Sequence, residues 1–213
     1  MRYDLQVHTD ASPCSATPPK KVAGAAADAG LDGIVVTDHD TLANVARVRE
    51  HAPDRLDVVS GVEVTTTQGH LLGIDVEEVP PQADPLTVID AIHDQGGIAV
   101  LSHPFDTMRQ FYERDLPAIA AAVDGVEAVN SRCVRPLFNR QARAFATHHG
   151  LAITGGSDAH FPMEVGRAAT EFDGTLREAL REGTTTPCGR GRYLSGHVAT
   201  KLQQGRRALG GLR

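Results

Sequence analysis

Two periodicities alternate along this chain. Short runs of β-branched and other apolar residues give way to polar turns, and these in turn to stretches with apolar residues at helical spacing. Residues 3–8 read as a strand, followed by a helix over about 18–29 that Gly30 closes. Residues 33–37 form a buried strand, with a helix over about 41–51 behind it. Two strands at 57–65 and 70–76 flank a Gln68-Gly69 turn, the signature of a hairpin. Asp84 and Pro85 supply an N-cap acid and a proline at the first helical position, and that helix ends at Gly96-Gly97. Strands follow at 98–102, 126–130 and 152–155, helices at 116–123, 136–149 and 175–181, and a late edge strand at 184–187. Strands alternating with helices predict an α/β fold with a mostly parallel sheet and right-handed crossovers, closed as a barrel or doubly wound.

At 213 residues and 22.7 kDa, without repeats or a linker-like segment, the chain is expected to form one domain over 1–213. Residues 195–213 are expected to be a C-terminal surface helix and tail. A formal net charge of −6 and the lack of a basic stripe argue against long nucleic acid as a partner. No run approaches the roughly 18 consecutive apolar residues of a membrane span. The chain begins with a strand-like run rather than a secretion-signal core, so a cytoplasmic location is expected. Cys14, Cys133 and Cys188 have no paired spacing and indicate neither a disulfide framework nor a cysteine-type zinc site. Oligomeric state has no signature in the sequence.

The ten histidines change the picture. His8 ends the first strand and His39, flanked by Asp38 and Asp40, ends the second. Glu63 lies near the end of the third, His70 opens the hairpin return, and His103 ends the next strand. Asp158 and His160 follow the strand at 152–155. In α/β barrels the carboxyl ends of parallel strands converge on one face, where active sites form. Histidine has no turn-forming chemistry of its own, so five histidines and two acids all placed after strands are read as one cluster. Neutral imidazoles and anionic carboxylates are a donor set for zinc, manganese or iron.

In this order the segments resemble the polymerase-and-histidinol-phosphatase (PHP) metallophosphoesterases. They are Asp4-Leu-Gln-Val-His8-Thr, Thr37-Asp38-His39-Asp40, Gly61-Val-Glu63, His70-Leu-Leu-Gly73, Ser102-His103-Pro104 and Gly156-Ser-Asp158-Ala-His160, with Val165-Gly166-Arg167 closing the set. The resemblance implies a distorted (β/α)7 TIM-like barrel and bound divalent metal ions. It also implies hydrolysis of a small phosphorylated metabolite, a nucleotide or a short oligonucleotide. The metal ligands it implies are His8, His39, Glu63, His70, His103, Asp158 and His160. Glu63 would be shared between His8 with Asp158 on one side and His70 with His103 on the other, while His39 and His160 remain for a third ion. Two departures stand out. Gln6 replaces the first histidine of the family's His-x-His, and Pro13 stands where an acid or histidine is usual, with Asp10 or Cys14 as possible substitutes. Gln6 weakens the first metal position and Pro13 the third, so about two ions are expected, within a range of one to three.

Water on such an ion ionises near neutral pH, with a pKa of about 7 in a good zinc site. Asp38, Asp40 and Gln6 are expected to support the ligands, with Asp38 or Asp40 orienting His39. Arginine suits a phosphate clamp, and Arg132 and Arg167 are the candidates. Asn130 is a candidate substrate contact. Specificity is expected in the loops at 79–85 and 105–115. The alternatives are a catalytically weakened PHP-fold metal- or ligand-binding protein, and a metal hydrolase of a non-phosphate bond; the lack of a lysine at any strand end counts against the latter.

Overall fold

The structure, a computed structural model, describes residues 1–191. Among these described residues nine strands form one sheet: β1 (Arg2–Val7), β2 (Gly33–Val36), β3 (Asp57–Thr65), β4 (His70–Ile74), β5 (Ile98–Ser102), β6 (Gly125–Asn130), β7 (Ala152–Gly156), β8 (Ala168–Glu171) and β9 (Thr186–Gly189). The helices are α1 (Pro19–Asp28), α2 (Val45–His51), α3 (Pro85–Asp94), α4 (Leu116–Ala122), α5 (Pro136–His149) and α6 (Leu176–Glu182). The helix expected over 195–213 lies outside the described residues.

The sheet curls into a nearly closed barrel in the order β7-β6-β5-β4-β3-β2-β1-β8-β9. β1, β2 and β3 pair in parallel, as do β5, β6 and β7, but β4 is antiparallel to both of its neighbours and β8 to β1 and β9. The expectation of a mostly parallel sheet therefore held only for the two parallel blocks. The tight Gln68-Gly69 turn leaves no room for a crossover, so β4 must run back. Closure comes where β7 meets β1: His8 N donates to Ala159 O at 2.9 Å and Ser157 N to Asp4 Oδ1 at 2.8 Å. A glycine is required at 156, because a Cβ there would lie 2.7 Å from Glu127 Oε1 and 2.9 Å from Gln6 Cβ.

Local signals mark most element ends. Asp84 caps α3 by accepting from Thr87 N at 3.2 Å. Gly150 and Gly183 close α5 and α6 with φ of 67° and 66°. α2 starts about four residues later than expected, at Val45, after Asp40 with φ of 53° accepts from Thr65 N and Oγ1, both at 2.8 Å. β8 was not anticipated: four residues of sequence Ala-Ala-Thr-Glu carry too weak a β signal to stand out.

Side chains alternate along a strand, and Leu72 pairs directly with Glu63, two residues from His70. The cluster of Leu5, Val35, Leu72, Ile74, Ile98 and Val100, sealed by Leu180 of α6, therefore lies under the polar carboxyl-end layer. Two other apolar clusters pack helices against the sheet, α3, α4 and α5 in one and α1 and α2 in the other. Among the described residues no helix is long and apolar enough to cross a membrane. Leu72 is fully buried, so Leu72→Ala is expected to lower unfolding free energy by about 2–5 kcal/mol, seen as a lower urea midpoint with an unchanged slope.

Candidate metal centre

The parallel strands deliver their following residues to one rim. His8 leaves β1, Asp38 and His39 leave β2, His103 leaves β5, and Asp158 and His160 leave β7. β4 contributes through its first residue because it runs backwards. His70 pairs with Thr65 at the end of β3 and with Ser102 at the end of β5, so the start of an inverted strand reaches the same rim.

Glu63 is the hub. Its Oε2 lies 3.1 Å from His8 Nε2 and 3.4 Å from His39 Nε2, while its Oε1 lies 3.2 Å from His70 Nδ1 and 3.3 Å from His103 Nε2. Asp158 Oδ1 is 3.3 Å from His8 Nε2 and 3.5 Å from His160 Nδ1. All seven side chains expected as ligands thus meet in one cup, and most are buried. The backbone is strained to achieve this: His103 and Asp158 hold φ of 29° and 55°, which non-glycine residues rarely adopt.

Hydrogen bonding fixes the imidazole tautomers. Ser12 Oγ donates to Asp38 Oδ1 at 2.6 Å, so its oxygen accepts from His8 Nδ1 at 3.1 Å and from His39 N at 3.0 Å. His8 Nε2 then faces the Glu63 and Asp158 carboxylates. His160 likewise donates from Nδ1 to Asp158 O at 2.8 Å. Among the described residues, His8 Nε2 and His70 Nδ1 are buried without a hydrogen-bond partner. Buried nitrogens held this close to carboxylate oxygens need positive charge between them, a proton or a metal cation. Among the described residues three donor groups have ligand atoms within 4.8 Å of one another: Glu63 with His70 and His103, His8 with Asp158 and His160, and His8 with Cys14 and His39. Nitrogen and carboxylate donors in this arrangement fit a divalent ion.

The electrostatics follow from burial. Burial opposes ionisation of Glu63, yet His39, His70 and His103 hold its carboxyl well below the usual range. Burial is likewise outweighed at Asp158, chiefly by Arg109 and His8. Desolvation, joined by Arg109, lowers His103 to about 4, and desolvation drives His160 down. Glu127 is pushed well up by burial and by Asp158; its Oε2 accepts from His103 N at 3.0 Å and Asn130 Nδ2 at 2.9 Å, holding the His103 turn.

The support residues differ from expectation. Neither Asp38 nor Asp40 touches the His39 ring. Asp38 accepts from Thr9 and Ser12 and so acts on His8, whereas Asp40 ties down Thr65. Asp10 faces Asn44, 2.7 Å away, so the residue near Pro13 that reaches the cup is Cys14. Gln6 does support the hub: its Nε2 donates to Ser102 Oγ at 3.0 Å, which donates to Glu63 Oε1 at 2.9 Å.

Both arginine candidates are placed elsewhere. Arg132 is buried with Nη1 2.9 and 3.0 Å from the Glu164 oxygens, and Glu164 also accepts from His160 N at 2.6 Å, so this pair braces the His160 turn. Arg167 is exposed and donates from Nε to Met163 O at 3.1 Å. The arginine at the cup is Arg109, which sequence reasoning missed. It pairs with Asp158 through Nη1, with Asp106 through Nε at 2.9 Å and with Asn130 Oδ1 through Nη2 at 3.3 Å. Its only signal was membership of the loop at 105–115.

Residues 136–185 match the model of the PHP-associated family. Two uncharacterised proteins of Methanocaldococcus jannaschii are similar: one is 30% identical over 178 residues, covering 81% of this chain and 70% of the relative. The other is 28% identical over 148 residues, covering 62% and 82%. Three solved structures share the fold. PsfC from Pseudomonas syringae has a TM-score of 0.71 at 18% identity, covering 96% of this chain and 98% of its own. An amidohydrolase from Chromobacterium violaceum with bound sulfate and no metal has a TM-score of 0.66 at 18% identity, covering 92% and 96%. A protein of Bifidobacterium adolescentis, provisionally named a metal-dependent phosphoesterase, has a TM-score of 0.64 at 19% identity, covering 75% and 88%. With its ordered motifs, its barrel and this relationship along most of its length, the chain belongs to the PHP family.

Proposed function

We propose that this protein is a metal-dependent hydrolase that cleaves phosphate esters of a small metabolite, a nucleotide or a short oligonucleotide. The observation that carries the reading is the Glu63 hub, a buried carboxylate whose two oxygens each face two imidazoles. Glu63, His70 and His103 would hold one ion; His8 and Asp158, sharing Glu63, would hold a second. When bound, such ions supply an acidified water and neutralise charge on phosphoryl oxygens. The phosphoesterase name carried by the Bifidobacterium adolescentis neighbour supports the same chemistry.

The chain's own groups do the positioning. The Asp38–Ser12 relay holds the His8 ring with Nε2 inward, and the Gln6–Ser102 relay holds Glu63. Glu127 and Asn130 fix the His103 turn and the Asp158 carboxylate; Asn130 Nδ2 donates to Asp158 Oδ2 at 3.3 Å. Arg109 sits at the edge of the cup with its side chain 20% exposed. Its planar fork suits a phosphate, which supports a role for the loop after β5 in phosphate recognition.

Purified protein is expected to contain about two zinc, manganese or iron ions per chain by elemental analysis. It should hydrolyse an aryl phosphate or a nucleotide, with His103→Ala abolishing turnover; inactivity with every metal and every ester would defeat the reading, and cleavage of amides alone would move it to a different bond. Arg109→Ala should lower kcat/KM for phosphate esters by about 100-fold, the typical loss of a donor to developing charge, with Arg109→Lys recovering part of it. An unchanged kcat/KM in both variants would remove Arg109 from substrate recognition.

A further inference from the structure

Cys14 is a thiol for which the two-ion reading has no use. It is buried and forms no disulfide. Its turn is firmly built. Ser12 N donates to Thr9 O at 3.1 Å and Ser15 N to Ser12 O at 3.3 Å, while Ser15 Oγ and Thr17 Oγ1 each donate to His160 O at 2.9 Å. The sulfur is thereby held against the rim, within 4.8 Å of donor nitrogens of His8 and His39. Independently, His8 Nε2 is buried without a hydrogen-bond partner and faces the Glu63 Oε2 that His39 Nε2 also faces. His39 Nε2 lies 3.4 Å from Glu63 Oε2.

We propose that Cys14 is a thiolate ligand to a divalent ion on the His8–His39 side of the cup, an inference that rests on the metal-dependent reading above. Bonds of about 2.3 Å to sulfur and about 2.1 Å to nitrogen span donors up to roughly 4.4 Å apart, so small side-chain rotations close this group on an ion. A coordinating thiol is deprotonated outright. The soft sulfur selects a zinc-like ion over manganese or magnesium. The chain thus replaces the ligand lost at Pro13 with a donor of a different class, and this corner differs in metal preference from the Glu63–His70–His103 group.

The test is the absorption spectrum of full-length protein loaded with cobalt(II), read beside its cobalt content. A sulfur-to-cobalt charge-transfer band in the near ultraviolet is expected in the wild type. It should also appear in the Cys133→Ser/Cys188→Ser double variant, whose only thiol is Cys14, and be lost in Cys14→Ser while cobalt at the remaining group persists. Cobalt-bound wild type without the band overturns the proposal, as does a band lost in the double variant. A band that survives Cys14→Ser overturns it too. If no variant binds cobalt, the metal-dependent reading itself fails, a result distinct from cobalt bound without sulfur.

Discussion

A buried carboxylate sets the terms for this fold. Removing an ion such as Glu63 from water costs several kcal/mol even after relaxation, and the surrounding strands offer no lysine or arginine to Glu63. What they offer is four imidazoles, of which His8 is held by Ser12 at Nδ1 so that Nε2 turns inward. Such a layer is poorly self-satisfied, and its remaining need is for positive charge in the middle. The apolar cluster beneath and the braces around the rim hold the donors in place against their mutual repulsion.

The braces explain how one chain tolerates losing a family histidine at position 6. Gln6 spends its amide on Ser102, and Ser102 spends its hydroxyl on Glu63. Asn130 reaches Gln6 Oε1 at 3.3 Å and continues the network to Glu127 and Asp158. A glutamine can donate and accept at once, so it links two carboxylate neighbourhoods that a ligating imidazole would leave separate. The cost is a ligand; the gain is a fixed hub.

Much of this was legible in the sequence because barrel geometry converts strand ends into proximity. His8, His39, His103, Asp158 and His160 follow strands whose apolar runs are plain, and Glu63 and His70 flank a turn that is equally plain. The inverted β4 was legible too, since Gln68-Gly69 permits only a hairpin. Arg109 was not: it lies in a loop without periodicity, and nothing in the local pattern separates it from Arg132, which the sequence places more temptingly just after β6. The choice between them is made by Glu164, a tertiary partner 32 residues from Arg132. The targets of Asp38 and Asp40 were hidden for the same reason, because their contacts with Thr9, Ser12 and Thr65 depend on how three strands stack.

The division of the cup into chemically unlike halves follows from these choices. The half made of Glu63, His70 and His103 is imidazole and carboxylate, tied by Glu127 to the strand layer below. The half around His8 and His39 hangs on the turn after β1, where Pro13 removes one donor and Cys14 brings another. Arg109 enters from a third direction and shares Asp158 with His8. An anionic substrate approaching Arg109 would compete with Asp158 for its guanidinium, and any exchange loosens or tightens the carboxylate's hold on His8. Substrate recognition at Arg109 would therefore be coupled to the His8 side through one carboxylate, and the charge of Arg109 also reaches His103 and His70, whose protonated forms it disfavours.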